Sequence, residues 1–384
     1  GDDLVGIPVN EIKQRKEKIV KYLNDNLLDA FMILDPYNIF YMGFYHVVTE
    51  RPVAYIIYSD GKVELFVPML EKDEATRVPN VDSVKTYFEY PGKKGVFEFI
   101  GEELKFGNNT KKIGVDNTDF KLFKKLSGVF EEVKVSDVIY DMRIIKSPYE
   151  IELLKSAGYY SDYAVSAGFE ALKLGVSELE ILSELEKKTT EKMIDELDEV
   201  IYVPGGPVGA LLPTGWRTAL PHGLPSNRKV EKGDTVMLSC GANVKGYRTE
   251  TERTCFVGEP SKDKIKAFNV IYQAQKLATT MMVPGKSCSE IDRTVMDFIR
   301  ENGYGDYIRH RTGHGKGLGE HETPWVDEGD PTIIKPGMVL SSEPGIYIEG
   351  LSGFRHSDTV AVTDGEPLLL TKYSKKLEDL IVYV

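Results

Sequence analysis

Hydrophobic and polar positions in the first part of the chain switch between a helical and a strand-like period. Residues 10–26 are highly charged and carry apolar side chains at Ile12, Ile19 and Leu23, which share one helical face, so they predict an amphipathic helix. Residues 29–35 contain a central apolar run typical of a strand. Two more strand-like runs, 52–59 and 62–68, flank the turn dipeptide Asp60-Gly61, which predicts a hairpin. The alternation continues to about residue 141 through a run KKIGVD, a short helix and a run EEVKVSDVI. This rhythm predicts an α/β domain.

The pattern changes near Lys146. Ser147 stands before Pro148 and a glutamate-containing first turn, a combination typical of a helix N-cap followed by proline at the first helical position. We therefore predict two domains, residues 1–146 and residues 147–384. In the second domain the period predicts four long helices followed by short strands, the helices covering residues 149–174, 177–195, 262–282 and 288–302.

The pattern of residues 236–258 predicts a β-hairpin around which the second domain is organised. Two apolar strands flank a glycine-containing turn at residues 243–246, and polar side chains alternate along the returning strand. Side chains two positions apart on a strand point the same way, so Glu250 and Glu252 should project from one surface. Such a pair is typical either of a site or of a solvated edge strand, and both interpretations stay open from this segment alone.

Composition narrows the class of protein. The chain has 384 residues, 41% of them hydrophobic and 28% charged, and no apolar run approaches the roughly 18 residues that a membrane helix needs. A net charge of -12 argues against nucleic acid or an anionic membrane as partner. The first 18 residues lack a basic region followed by an apolar core, so we expect no export signal and a cytoplasmic protein. Three cysteines without metal-type spacing predict reduced thiols.

Histidines concentrate in the second domain. Only His46 lies outside it, and two of the others lie in the glycine-rich segment TGHGKGLGEHE, which should place imidazoles on flexible backbone open to close approach. This combination is more typical of a site than of structural histidines. The histidines of the second domain are His222, His310, His314, His321 and His356.

Five motifs in order carry a family resemblance: LPHGLPSNRKVEKGDTVMLS, GYRTETERT, HRTGHGKGLGEHETP, SSEPGIYIEG and GFRHSDTVAVT. The chain resembles the pita-bread hydrolases, which include prolidase, aminopeptidase P, methionine aminopeptidase and creatinase. The resemblance implies an α+β fold class, with an N-terminal α/β domain of the creatinase/prolidase type followed by a pita-bread catalytic domain. It also implies a homodimer in which each N-terminal domain, residues 1–146, roofs the site of the neighbouring subunit.

The chain departs from the metal-binding pattern of these peptidases, which hold two divalent ions with two aspartates, a histidine and two glutamates. The matching positions are Ser239, Glu250, His314, Glu343 and Ser357. Two dications about 3.5 Å apart repel by roughly 19 kcal/mol at an effective dielectric near 20, and four carboxylates normally offset this repulsion. Only two carboxylates remain here, so a dinuclear centre is not expected. Glu250, His314 and Glu343 could still hold a single ion of Mn, Co or Zn.

Creatinase offers a metal-free template, since its hairpin motif ends in Glu-Arg-Thr, as residues 252–254 do here. The resemblance implies that His222 is the catalytic histidine, which could move a proton between water and a leaving nitrogen. It also implies that Glu252 and Glu343 hold substrate N–H groups. His314 and His321 complete the catalytic set that this resemblance implies.

Three further residues are predicted to bind substrate. Trp325 stands where creatinase has an arginine for the substrate carboxylate, so one anion clamp of that enzyme is missing. Arg51, eight residues after Gly43, matches the other carboxylate-binding arginine, and Arg355 is the third predicted contact.

The sequence therefore predicts a homodimeric, creatinase-like hydrolase of a C–N bond in a small molecule or dipeptide, with no cofactor. One alternative is an Xaa-Pro dipeptidase or aminopeptidase of the prolidase type, with an atypical metal site that holds at most one ion. The other is an inactive homologue that serves as a binding protein.

Overall fold

The structure is a computed structural model that describes residues 9–88 and 94–384. Residues 1–8, which carry part of the prediction about export, lie outside the described residues. The chain divides into two compact units, Gly1–Arg143 and Ile144–Val384, and the division falls three residues before the predicted boundary at Lys146. Among the described residues, no helix is long and apolar enough to cross a membrane.

The first unit is built on a six-stranded mixed sheet in the order β4-β3-β2-β1-β5-β6. Its strands are β1 Ala30–Ile33, β2 Ala54–Tyr58, β3 Val63–Pro68, β4 Ser83–Tyr87, β5 Lys112–Val115 and β6 Glu132–Val135. Its helices are α1 Val9–Asp25, α2 Pro36–Gly43, α3 Lys72–Ala75, α4 Val96–Glu102, α5 Phe120–Ser127 and α6 Val138–Ile144.

The predicted strand pattern of this unit is confirmed. All four residues of β1 are buried, because β1 lies inside the sheet between an antiparallel β2 and a parallel β5. A strand covered on both faces reads as a continuous apolar run. Strands β2 and β3 form the predicted antiparallel hairpin, and Gly61 in its turn has a φ of 91°, which favours glycine.

The second unit contains long helices and three sheet portions, which are antiparallel except for the parallel pair of β17 with β9. Its helices are α7 Pro148–Ala171, α8 Glu178–Glu196, α9 Lys262–Met281 and α10 Cys288–Glu301. Its longer strands are β7 Val208–Leu211, β8 Thr235–Val244, β9 Tyr247–Val257, β11 Glu322–Val326, β12 Val339–Ser342, β13 Gly345–Ile348, β14 Ser352–Arg355 and β15 Asp358–Ala361. The short strands are β10 Gly313–Gly315, β16 Leu368–Leu369 and β17 Ile381–Val382.

Strands β8 and β9 form the central hairpin that the sequence predicts. They pair antiparallel over their whole length, from Thr235 opposite Phe256 to Val244 opposite Tyr247, and they lie inside the sheet ordered β17-β9-β8-β7. An isolated bridge between Glu252 and Ser357 connects the hairpin to the segment before β15. At Glu252 the backbone edge of the hairpin therefore pairs with another segment of the chain rather than with solvent.

The predicted starts of α7 and α8 are confirmed. Ser147 caps α7 by accepting a hydrogen bond from the Glu150 backbone, while the Glu150 carboxylate accepts one from the Ser147 backbone. Ser177 and Glu180 form the same reciprocal arrangement at α8.

The glycine-rich segment after residue 311 does not carry His314 on the flexible backbone that the sequence predicted, although the predicted close approach is present. Residues 313–315 form β10, which is buried between β11 and β12. A Cβ atom on Gly313 would lie only 1.9 Å from the Ser341 carbonyl oxygen. Glycine is required here because neighbouring backbone approaches closely, so His314 is held on a rigid strand.

Candidate active site

A cavity of about 610 Å³ opens in the second unit beside β8, β9 and β10. It gathers most of the site residues predicted for this unit, namely His222, Glu250, Glu252, His314, His321, Glu343 and Arg355. Trp325 lies in β11, directly opposite His314 in the strand register. Arg51 belongs to the first unit, where its guanidinium lies 3.0 Å from Glu50.

The two hairpin glutamates face this cavity together. Glu252 is only 4% exposed, so the interpretation of a solvated edge strand is excluded. Ser239 pairs with Glu252 in the register of the hairpin, and its hydroxyl donates a hydrogen bond of 2.5 Å to the Glu252 carboxylate. Ser357 donates a longer one, 3.4 Å, to Glu250. Both serines that replace carboxylates of the peptidase pattern thus act as donors to the glutamates that remain.

Glu250, His314 and Glu343 form a compact cluster of ligand atoms. One carboxylate oxygen from each glutamate and one imidazole nitrogen lie within 4.8 Å of one another. His314 Nδ1 lies 2.9 Å from the Gly315 carbonyl oxygen, which fixes the proton on Nδ1 in the neutral ring. Nε2 then carries a lone pair and lies 2.8 Å from Glu343 Oε1 and 3.6 Å from Glu250 Oε1.

This geometry fits a single divalent cation. Within the described part of the chain His314 Nε2 is buried and forms no hydrogen bond. A nitrogen lone pair facing two carboxylates is repulsive unless a proton or a metal ion lies between them. Imidazole and carboxylate are ligands that Zn²⁺ and Mn²⁺ accept. The residues present therefore fit one ion held by Glu250, His314 and Glu343.

The pKa values of the three cluster residues also support a site for a cation. Burial and then the charge of Glu343 raise the pKa of Glu250 to about 8. Burial opposes ionisation of Glu343 too, but His314 and then Arg355 hold the pKa of Glu343 well below its usual range. Burial lowers the pKa of His314, but the charge and hydrogen bonding of Glu343 together with the charge of Glu250 outweigh burial, so the pKa of His314 is raised. Without an ion the cluster keeps a proton at neutral pH, and an ion would displace it.

Two basic side chains lie beside the glutamates. Lys316 is 1% exposed, and its Nζ lies 3.6 Å from Glu250 Oε2. Arg355 forms an ion pair with Glu252 through Nε, and its Nη1 donates to the Pro221 carbonyl oxygen at 3.1 Å. Glu252 and Arg355 were both predicted to contact substrate, but the structure binds them to each other. A substrate group would have to compete with this pair.

The remaining predicted catalytic histidines, His222 and His321, also line the cavity. The His321 ring lies tilted beside the His314 ring, with ring centroids 4.2 Å apart, and burial followed by the charge of His314 lowers the pKa of His321 to about 4. His321 is therefore neutral at pH 7, with one nitrogen able to donate and one able to accept. His222 is exposed and lines the cavity.

Sequence reasoning missed Arg311 and Lys316, both of which line the cavity. The Arg311 guanidinium lies 4.4 Å from the centroid of the Trp325 ring, a cation–π contact. Trp325 occupies the position of an arginine in the creatinase pattern, so a different arginine lies at this place in the site. Lys316 follows His314 by two positions, but the strand register shifts between His314 and Gly315, so alternation along a strand was not a usable signal for Lys316.

Comparisons with known proteins match both units. Residues 152–364 match metallopeptidase family M24, and residues 15–145 match the creatinase/prolidase N-terminal domain. The chain is 35% identical to a protein named Xaa-Pro dipeptidase from Pyrococcus furiosus over 95% of this chain and 100% of the relative. For the protein of the same name from Pyrococcus horikoshii the identity is 32%, over 95% and 99%. The solved structure of prolidase from P. horikoshii superposes with a TM-score of 0.83 at 30% identity, covering 95% of this chain and 99% of that one.

These matches confirm the resemblance found from the motifs, the two-part fold class and hydrolysis of a C–N bond as the type of reaction. They do not support the creatinase-like, metal-independent hydrolase that was the main prediction, and they favour the dipeptidase alternative. The expectation of no cofactor is likewise unsupported, since the matched family is one of metallopeptidases and a ligand cluster is present.

Proposed function

Because the chain belongs to metallopeptidase family M24, we propose that it is a metal-dependent dipeptidase that cleaves Xaa-Pro dipeptides. The observation that carries the proposal is the cluster of Glu250, His314 and Glu343, whose ligand atoms lie within 4.8 Å of one another inside the cavity. A divalent ion bound by these three residues would serve as a Lewis acid toward the scissile carbonyl.

Residues of the cavity have separate roles in this proposal. His321 is neutral at pH 7, so its N–H can donate a hydrogen bond to the oxygen on which negative charge develops. His222 lines the same cavity and is the proposed acid that returns a proton to the leaving nitrogen. Proline as the leaving residue has a secondary amine, which must be protonated to depart. A histidine whose ordinary pKa lies near neutrality suits this transfer.

Arg311 is the proposed contact for the substrate carboxylate. Its guanidinium is half-buried and held over Trp325, and Nε donates to the Gly313 carbonyl oxygen at 3.2 Å. No ion pair to Arg311 is found among the carboxylates of residues 9–88 and 94–384. An arginine that is preorganised by an aromatic face and lies on a cavity wall is well suited to bind a carboxylate. Recognition of a free carboxylate restricts the proposed substrates to short peptides.

The proposal is tested by hydrolysis of a set of Xaa-Pro dipeptides. The protein is first treated with a chelator, then assayed alone and after addition of Mn²⁺, Co²⁺ or Zn²⁺. We expect activity only after an ion is added, and we expect Glu343→Gln to lose both ion binding and turnover. Glu328→Gln is the matched control, since Glu328 is 61% exposed and lies outside the cavity lining.

The two alternatives predict different outcomes. Full activity in the chelated protein would favour the metal-independent hydrolase, for which the pair of Glu252 with Arg355 would be the central feature. A folded, ion-loaded protein that cleaves no dipeptide in the set would favour a binding protein.

A further inference from the structure

We propose that Lys316 is a built-in cation that opposes binding of a second divalent ion, so that restoring the missing carboxylate ligands alone would not create a two-ion site. The inference rests on the proposed ion site but goes further, because it assigns a barrier to the second ion to a side chain that is not itself a ligand. Lys316 lies next to the glycine that ends β10, two positions after His314.

Lys316 is held in a buried position next to one of the proposed ion ligands. The side chain is almost fully buried at 1% exposed, and its Nζ lines the cavity 3.6 Å from Glu250 Oε2. The other oxygen of that carboxylate, Oε1, is the one that lies 3.6 Å from His314 Nε2. Glu250 therefore has a lysine at one oxygen and the proposed ion position at the other.

The charges in direct contact around the proposed ion position favour one ion over two. With an ion bound and the shared proton displaced, Glu250, Glu252 and Glu343 contribute three negative charges, while Lys316 and Arg355, which pair with Glu250 and Glu252, contribute two positive ones. One net negative charge remains when His314 is neutral. A single dication changes this to one net positive charge, whereas a second dication would leave three positive charges in a buried space.

Serine at positions 239 and 357 is one barrier to a second ion, and Lys316 is a separate barrier. Each serine hydroxyl donates to a glutamate, Ser239 to Glu252 and Ser357 to Glu250, and a carboxylate placed at either position would add negative charge. The Lys316 ammonium would still lie beside Glu250 and would repel a second ion approaching that carboxylate. Restoring ligands should therefore fail unless the lysine is also removed.

Four proteins test this inference: the unchanged chain, Lys316→Met, the double variant Ser239→Asp/Ser357→Glu, and the triple variant that combines them. Each is stripped with a chelator, dialysed against Mn²⁺ and analysed for Mn²⁺ per chain, and the dissociation constant is measured by calorimetry. We expect one ion in the first three proteins and two in the triple variant. Lys316→Met should also bind its single ion at least tenfold more tightly than the unchanged chain.

Lys335→Met is the matched control, because Lys335 is exposed and lies outside the cavity lining. It should leave both the number of ions and the dissociation constant unchanged. Melting temperatures verify folding, and Lys316→Gln replaces Lys316→Met if methionine prevents folding. Two ions in the double variant with Lys316 intact, or one ion in a folded triple variant, would overturn the inference. Absence of any bound ion in all the folded proteins would instead contradict the proposed ion site itself.

Discussion

His356 is a buried polar side chain that the proposed reaction does not use. It is fully buried, and neither ring nitrogen has a hydrogen-bond partner in the described part of the chain. Its ring packs against Phe268 in a T-shaped arrangement, with the ring centroids 4.8 Å apart. Burial and then the nearby cations Arg253 and Lys375 hold its pKa well below 6.5, against the opposing charge of Asp358. His356 therefore stays neutral in the folded protein.

A His356→Leu variant should be more stable than the unchanged protein, by about 1 kcal/mol at pH 7, because an unsatisfied buried polar group is removed. The pH dependence should change as well. The unfolded histidine gains a proton as the pH falls through about 6.5, whereas the folded one does not. Protonation therefore favours the unfolded chain, so the part of the free energy of unfolding that depends on neutral His356 is complete above this pH and is lost below it. Urea unfolding at pH 7 and pH 5 measures both effects. An equal loss of stability on acidification in both proteins would contradict this account.

Replacement of His222 by asparagine should lower kcat about 10²-fold, because the proposed proton donor to the leaving nitrogen is removed. His222 is exposed, so the melting temperature should stay the same. Steady-state kinetics on an Xaa-Pro dipeptide with saturating Mn²⁺ measures the change. Turnover equal to that of the unchanged protein would show that His222 is not the proton donor.

The sequence predicted the proposed ion ligands but not the residues that tune them. Glu250, His314 and Glu343 follow from motif positions. The Lys316 contact with Glu250 and the Arg311 contact with Trp325 depend on how strands β9, β10 and β11 are placed in space. No local pattern specifies which carboxylate a buried lysine will meet.

The hairpin β8–β9 shows what a local pattern predicts well. Its alternation placed Glu250 and Glu252 on one face, and the structure confirms this, because strand geometry alone fixes which side chains share a face. Very short strands were not predicted, since two or three residues such as those of β10 or β16 give no measurable period. Their extended backbone depends on neighbouring strands.

The two helix caps provide a prediction at the level of elements. Glu150 is buried and also accepts a hydrogen bond of 2.6 Å from the Tyr247 hydroxyl, which links the start of α7 to β9. Glu180 has the same role at α8, but it is exposed. Glu150→Ala should therefore lower the free energy of unfolding by about 2 kcal/mol or more, since it removes both a cap and the buried hydrogen bond from Tyr247.

Glu180→Ala is the matched control, because it removes only an exposed capping interaction. Chemical denaturation of both variants measures the difference in the free energy of unfolding. If the two variants lost equal stability, the contact with Tyr247 would contribute nothing.

At the scale of the whole molecule, the pairing of an N-terminal α/β unit with a catalytic unit was predictable because the motifs carry the family resemblance. The homodimer and the role of Arg51 remain predictions from that resemblance. If Arg51 binds the carboxylate of a substrate in the partner subunit, Arg51→Ala should weaken binding by roughly 1.5 to 3 kcal/mol, the value for a charged hydrogen bond, without loss of the fold. The KM for an Xaa-Pro dipeptide measures this effect.

Mixing variants tests whether each site combines residues of two subunits. A hybrid dimer of one Arg51→Ala chain and one His222→Asn chain would contain one site with both defects and one site with neither. Activity should therefore reappear when the two inactive or weakened homodimers exchange subunits, and it should approach half the unchanged value per hybrid. Size-exclusion chromatography and tagged subunits verify that exchange has occurred. If exchange is complete and activity does not recover, Arg51 serves its own subunit or no site at all.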